Sequence, residues 1–296
     1  MKVRNQAEVD RTIKWVRFLF RFLEAVAKPL AARYAAYWFF RPLRYDLPRK
    51  EVAAANEADK FTVMVMGVPI QAYAWGKGPV VAFIHGWSGR GTQCREFIKP
   101  ITDAGFTLVA VDVQGHGASP GKVSDVMRFS GALVAINEHY QGKLAGAIGH
   151  SLGGAAILLA IKEGLHVPRA VVISTPSIAT DILSEFLHRV GGSPQTGEYV
   201  NQLIKRSHGY SLEELSAYES AKELPAVPVL LAYDRTDTDV PYYHAQPLLD
   251  TLKDARLLAT EGYSHTRILR SPVVIKETVA FLSIGPLSTV DSPRIQ

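Results

Sequence analysis

The sequence predicts an α/β protein: a mainly parallel sheet covered by helices on both faces. Three observations carry this. Short apolar runs alternate with helical periods from residue 61 to residue 282, the order that winds a parallel sheet between two helix layers. Some of those runs, such as 80–84, are apolar at every position, as strands buried on both faces must be. The stretch Gly149-His150-Ser151-Leu152-Gly153-Gly154 lies between an apolar run, 143–148, and a helical one, 155–162. A strand, a sharp turn and a helix therefore follow one another there.

Taken in order, the chain begins with a segment of helical period over 11–41. Lys14, Arg17, Arg21, Glu24 and Lys28 recur every three or four residues as one narrow, mostly basic stripe. Around them stand Trp15, Phe18, Phe22 and other apolar residues, and Trp38 follows in the aromatic run 34–40. Pro29 marks a kink or break. Residues 1–50 hold 12 Lys/Arg against 4 Asp/Glu, whereas the remainder is net −3, so the chain's +5 belongs to this segment. Its apolar face is too wide for a helix that only touches a core edge. Two placements stay open: an arm packed over the body or over a sister subunit in a homodimer, and a helix lying peripherally on an anionic membrane. Charges at such short intervals exclude a spanning helix and leave no apolar centre for a secretory signal. Nucleic acid is a poorer partner, because the basic stripe is narrow and the body acidic. Residues 43–60, rich in charge and alanine, read as a connection, so 1–60 form arm and linker.

The body, 61–284, follows. Strands are expected at 61–66, 70–75, 80–84, 107–111, 143–148, 169–174, 227–233 and 256–259. Helices are expected at 94–104, 123–140, 155–162, 242–253 and 267–282. Between 177 and 224 the strand pattern lapses. Helical patches and a Gly191-Gly192-Ser193-Pro194 turn there read as a small cap. Residues 285–296 form a tail. A chain of 296 residues that is 47% hydrophobic can build one large core or two small domains. Its single cysteine, Cys94, excludes an internal disulfide and fits a reducing, cytoplasmic compartment. Nothing near Cys94 in sequence would activate its thiol. The window 144–161 lacks Asp, Glu, Lys and Arg and approaches bilayer length, but its glycines, His150 and Ser151 fit a strand, turn and helix instead.

Acyl transfer needs a nucleophile, a base, a group that orients the base, and donors for the developing oxyanion. Ser151, in a G-x-S-x-G turn between strand and helix, is the nucleophile candidate. Of nine histidines, His265 lies just after the last expected strand, at the sheet edge where Ser151 emerges. The orienting acid should follow the strand before it, where Asp234, Asp237 and Asp239 share one loop. Asp237 is the choice, and Asp234, nearest the strand end, is the candidate for fixing the turn. The loop His85-Gly86-Trp87-Ser88-Gly89 after 80–84 should bring backbone amides to the site. Trp87 and Leu152 are the candidate oxyanion pair. His85, His116 and His150 suit loop fixing better than catalysis, and Asp112 suits pinning its own loop.

The order Ser151, Asp237, His265, the upstream His-Gly-Trp-Ser-Gly, and Asp112-Val-Gln-Gly-His-Gly-Ala-Ser between them resemble the α/β-hydrolase superfamily. The esterase, lipase and serine-aminopeptidase-like branch is the nearest in pattern. The resemblance covers about residues 61–282 and implies an eight-stranded, mostly parallel sheet, a Ser-His-Asp triad and no cofactor. It does not reach residues 1–60 and does not name a substrate. Other motifs fail on spacing. A dinucleotide fingerprint starting at Gly115 would place its third glycine on Pro120, and 117–123 is one residue short of a phosphate loop. The histidines show no metal-ligand spacing. The expected activity is hydrolysis of a small-molecule acyl ester. Thioesters, lipids and amides are alternatives with the same triad, and a non-catalytic binder on this scaffold is the alternative of another class.

Overall fold

The computed structural model describes residues 6–284. The tail expected at 285–296 lies outside the described residues. Eight strands form one sheet: β1 (Asp59–Val65), β2 (Val68–Trp75), β3 (Val80–Ile84), β4 (Thr107–Val111), β5 (Leu144–His150), β6 (Ala170–Ile173), β7 (Val229–Asp234) and β8 (Ala255–Thr260). Their spatial order is β1-β2-β4-β3-β5-β6-β7-β8. Strand β2 runs antiparallel to both neighbours, and every pairing from β4 through β8 is parallel. The α/β class and the mostly parallel eight-stranded sheet are thus as the sequence predicts.

The apolar runs fill two cores because side chains alternate across a strand. In β3, Val80, Ala82 and Ile84 join one core and Val81 and Phe83 the other. The first lies beneath α5 (Val126–His139) and α6 (Leu152–Lys162), with Phe129, Leu133, Ile157 and Leu158 at its centre. The second lies beneath α4 (Arg95–Asp103) and α12 (Pro272–Ser283), with Phe97, Ile101 and Phe281. Helices therefore cover both faces.

Between β6 and β7 the chain leaves the sheet through α7 (Ala179–Val190), α8 (Pro194–His208) and α9 (Ala217–Lys222). Helices α1 (Gln6–Val26) and α2 (Lys28–Phe39) pack against this excursion. Phe20, Ala31, Ala32 and Ala35 meet Leu183, Leu187, Val200 and Ile204 in a third apolar cluster. Glu24 accepts bonds from the Ser193 amide at 3.2 Å and the Thr196 hydroxyl at 2.6 Å, and the Lys28 ammonium bonds Gln195 at 2.6 Å. The C-terminal part of the basic stripe therefore turns toward protein.

Several local readings need correction. The break in the arm falls at Ala27, and Pro29 sits in the first turn of α2, where its missing N–H leaves no bond unmade. Residues 49–57 are not irregular connection but a helix, α3 (Arg49–Glu57). Its buried Glu51 accepts from Arg90 Nε at 2.5 Å and Thr92 Oγ1 at 2.9 Å, so tertiary bonds hold a helix too short to be stable alone. The helix expected at 242–253 is a 3₁₀ turn followed by α10 (Ala245–Thr251). That expected at 267–282 is three pieces, α11 (Ser264–Arg267), a 3₁₀ turn and α12. Pro272 cannot continue a preceding helix and instead starts α12, which Ser271 caps.

Candidate active site

The end of β5 turns into α6 at Ser151, whose backbone adopts φ 53° and ψ −121°. A non-glycine residue there is strained. Close packing makes the turn sharp. A β-carbon at Gly149 would stand 2.5 Å from the Gly154 nitrogen, and one at Gly153 2.1 Å from the Ile84 carbonyl oxygen. Any side chain at either position would push α6 away from β3 and β5. The result is a serine side chain at the C-terminal edge of the sheet, beside the first amides of a helix.

The loop after β3 approaches it, and the loop after β4 packs behind that one. After β3 the chain passes so close that a β-carbon at Gly86 would lie 2.9 Å from the Ser151 β-carbon. The next amide along is that of Trp87. His85 holds this loop from within: its Nδ1–H donates to the Gly86 carbonyl at 2.7 Å and its Nε2 accepts from the Val113 amide at 3.1 Å. Burial pushes His85 down to about 4, so the ring is neutral, as this pair of bonds requires. After β4, Asp112 accepts from the amides of Gly91 and Ala118, each at 2.7 Å, and from the Tyr73 hydroxyl at 3.0 Å.

His265 lies on the single turn α11 rather than in open loop. Its Nδ1 bonds Asp237 Oδ2 at 2.8 Å. The other carboxylate oxygen of Asp237 accepts from the amides of Asp239 and Val240, each at 2.9 Å. Burial works to raise this carboxyl, but the bonds from His265 and the two amides outweigh it and keep it below the usual range. Asp234 does something else. It accepts from Thr236, Thr260 and the amides of Tyr263 and Ser264, at 2.6–3.1 Å, which joins the loop after β7 to the loop after β8. Asp239 reaches outward to Arg189 of α7 at 3.0 Å. The three carboxylates of one loop thus have three separate tasks.

His150 is bound in a way that the sequence does not disclose. Its Nε2–H donates to the His265 main-chain carbonyl at 2.9 Å, tying the serine turn to the base-bearing turn. Burial, reinforced by the neighbouring His265, pushes His150 down to about 3 and keeps it neutral. Cys94 is buried and its thiol is pushed far up by that burial, so it is an inert core group. Among the described residues no cluster of three or more histidine, cysteine or carboxylate side chains is arranged to hold a metal ion.

Ser151, Leu152, Trp87 and His265 all line one cavity of about 1050 Å³. Its other walls are largely apolar, and several separate parts of the chain contribute to them. Among the wall residues, Ile13 and Val16 belong to α1, Phe39 ends α2 and Phe40 follows it, Ile182 and Phe186 belong to α7, and Ile204 belongs to α8. The arm's share in this cavity was not expected. The one signal for it was the excess width of the arm's apolar surface.

Two hydrolase family models match overlapping stretches of this chain: serine aminopeptidase, S33, over residues 77–208, and TAP-like protein, over residues 203–293. With the fold described above, they decide the family. The chain belongs to the α/β-hydrolase superfamily. Among curated relatives, a non-heme chloroperoxidase of Streptomyces lividans is 24% identical, covering 70% of this chain and 94% of that protein. The chloroperoxidase CPO-A1 of Kitasatospora aureofaciens is 43% identical over 53 residues, so the match spans about a fifth of each protein, 18% of this chain and 19% of the relative. Among solved structures, Est1E from Butyrivibrio proteoclasticus, with ferulic acid bound, superposes with a TM-score of 0.59 at 18% identity. It covers 75% of this chain and 99% of that one.

Proposed function

We propose that this α/β hydrolase cleaves carboxylic esters of apolar acyl groups through a covalent Ser151 intermediate. The observation that carries the reading is the bonded Asp237–His265 pair opening onto the cavity that Ser151 also lines. With Nδ1 engaged by Asp237, the free Nε2 of His265 is the nitrogen that takes the Ser151 proton. The alkoxide-like Oγ then attacks the ester carbonyl. Asp237 holds the ring tautomer and stabilises the imidazolium that forms. The amides of Trp87 and Leu152 donate to the developing oxyanion. His265 returns the proton to the departing alcohol, and water, activated by the same nitrogen, releases the acid. The apolar cavity favours an acyl chain over a charged or strongly polar group. Thioesters and amides enter the same mechanism, and the leaving group decides among them.

The test is a series of p-nitrophenyl esters of rising chain length, together with labelling by a fluorophosphonate. The expected result is turnover that improves with chain length, and label on Ser151 that disappears in Ser151→Ala. No turnover across the series and no labelling in the folded protein would overturn the reading and favour a non-catalytic binder.

A further inference from the structure

We propose that α1 is a two-faced helix: its inner face walls the Ser151 cavity, and its outer face docks on an anionic lipid bilayer. The inner face is accounted for by protein. Ile13 and Val16 line the cavity, and Phe20 is buried among cap residues. The outer face is not. Trp15, Phe18, Phe22 and Val26 are 68%, 70%, 59% and 62% exposed. Spaced three, four and four apart, they form a continuous stripe along roughly 17 Å of helix. An apolar stripe of this length on a protein surface marks an interaction site rather than scattered exposure.

Charge identifies the occupant. Arg11, Lys14, Arg17 and Arg21 are exposed along the same helix. Between residues 11 and 33 the only acidic residue is Glu24, and it is turned away to bond Ser193 and Thr196. Glu8 and Asp10 precede this stretch in the first turns of α1, so from residue 11 onward the outer side presents aromatic side chains beside basic ones, the combination that lies in the headgroup region of an anionic leaflet. A second copy of this chain fits less well, because each copy would bring the same excess of basic side chains to the contact and no acidic row to meet it. Among the described residues no helix is long and apolar enough to cross a membrane, so the docking is peripheral. Arg17 belongs to the exposed row and also lines the cavity. The cavity thus reaches the basic row that flanks the aromatic stripe, the side from which an acyl chain would enter it. That last step rests on the serine-hydrolase reading, whereas the docking itself does not.

The full chain is sedimented with vesicles of phosphatidylcholine alone and of phosphatidylcholine with phosphatidylglycerol. Binding is expected with the anionic vesicles, weakened by high salt and by R11E/K14E. The triple variant W15S/F18S/F22S is expected to bind about a hundredfold more weakly or worse. None of these three residues lines the cavity, so its melting temperature and its turnover of a short soluble ester should match the parent chain. A parent chain that stays in the supernatant with anionic vesicles at low salt overturns the proposal, as does a triple variant that pellets like the parent. A dimer in sedimentation velocity that the triple variant abolishes, without vesicle binding, assigns the face to a second copy and also overturns it. Vesicle binding without ester turnover upholds the docking and removes only the catalytic reading.

Discussion

At the scale of single residues, the loop after β7 separates orientation from construction. Asp237 is spent on one imidazole and two amides, and Asp234 on two loops. If Asp237 orients the base, Asp237→Asn should lower kcat by about 10⁴-fold, the size of effect that follows when the imidazole settles in the wrong tautomer. The melting temperature should hardly move. Asp234→Asn should behave in the opposite sense. Its amide cannot accept from every donor now facing the carboxylate, and unmet buried N–H groups cost about 1–3 kcal/mol. A lower melting temperature with only a modest fall in kcat is expected. Near-normal activity in Asp237→Asn, with collapse in Asp234→Asn and no loss of stability, would exchange the two roles. The sequence alone carried the nearness of Asp234 to the strand end, which matches its structural task. It carried nothing of His150, because that bond runs from a side chain to a main-chain carbonyl 115 positions away.

At the scale of elements, what was legible follows the strength of local pattern. The strands at 80–84 and 107–111 coincide with β3 and β4, since continuous apolar runs bounded by turns admit one reading. The first two strands begin earlier than expected, β1 at Asp59 and β2 at Val68, because their ladder pairs residues that look polar or turn-like by themselves, such as Asp59 with Ala74. Helix α3 was missed because Glu51 earns its place only through partners at 90 and 92. The arm was legible as helix but not as cavity wall, since periodicity reports an apolar face and not what covers it. Phe20 tests that wall. Phe20→Ala removes the arm's largest buried side chain from the cluster it forms with α7 and α8, a change that typically costs about 3–5 kcal/mol. The loss should fall on arm docking rather than on the sheet. Limited proteolysis should cut near α1 first, and kcat/KM should fall more for long acyl esters than for an acetate. Equal loss for both esters would mean that the arm does not shape the acyl site.

At the scale of the whole molecule, stability is tied to pH through histidines buried on both sides of Ser151. Burial pushes His85 to about 4 and His150 to about 3, and it also lowers His244. In the unfolded chain each would titrate near the ordinary value of about 6.5. The unfolded state therefore binds protons that the folded state refuses, and the sign follows from that. The stabilising contribution is complete above about pH 6.5 and drains away as pH falls toward the folded values, at up to about 1.4 kcal/mol per unit for each ring. Asp234 and Asp237, held low as carboxylates, act in the same direction, but only below about pH 4, where their unfolded counterparts take up protons. The two windows are thus separable. The urea midpoint should be level above about pH 7 and decline between about pH 6.5 and 4.5, before the carboxylates enter. His150→Gln should flatten part of that decline, because the amide can still donate toward the His265 carbonyl but does not titrate. A parent midpoint that stays level from about pH 7 down to 5 would show that these rings are not held neutral in the fold. The same measurement on Ser151→Ala should reproduce the parent's slope, since the serine takes no proton in this range and the histidines beside it keep their bonds.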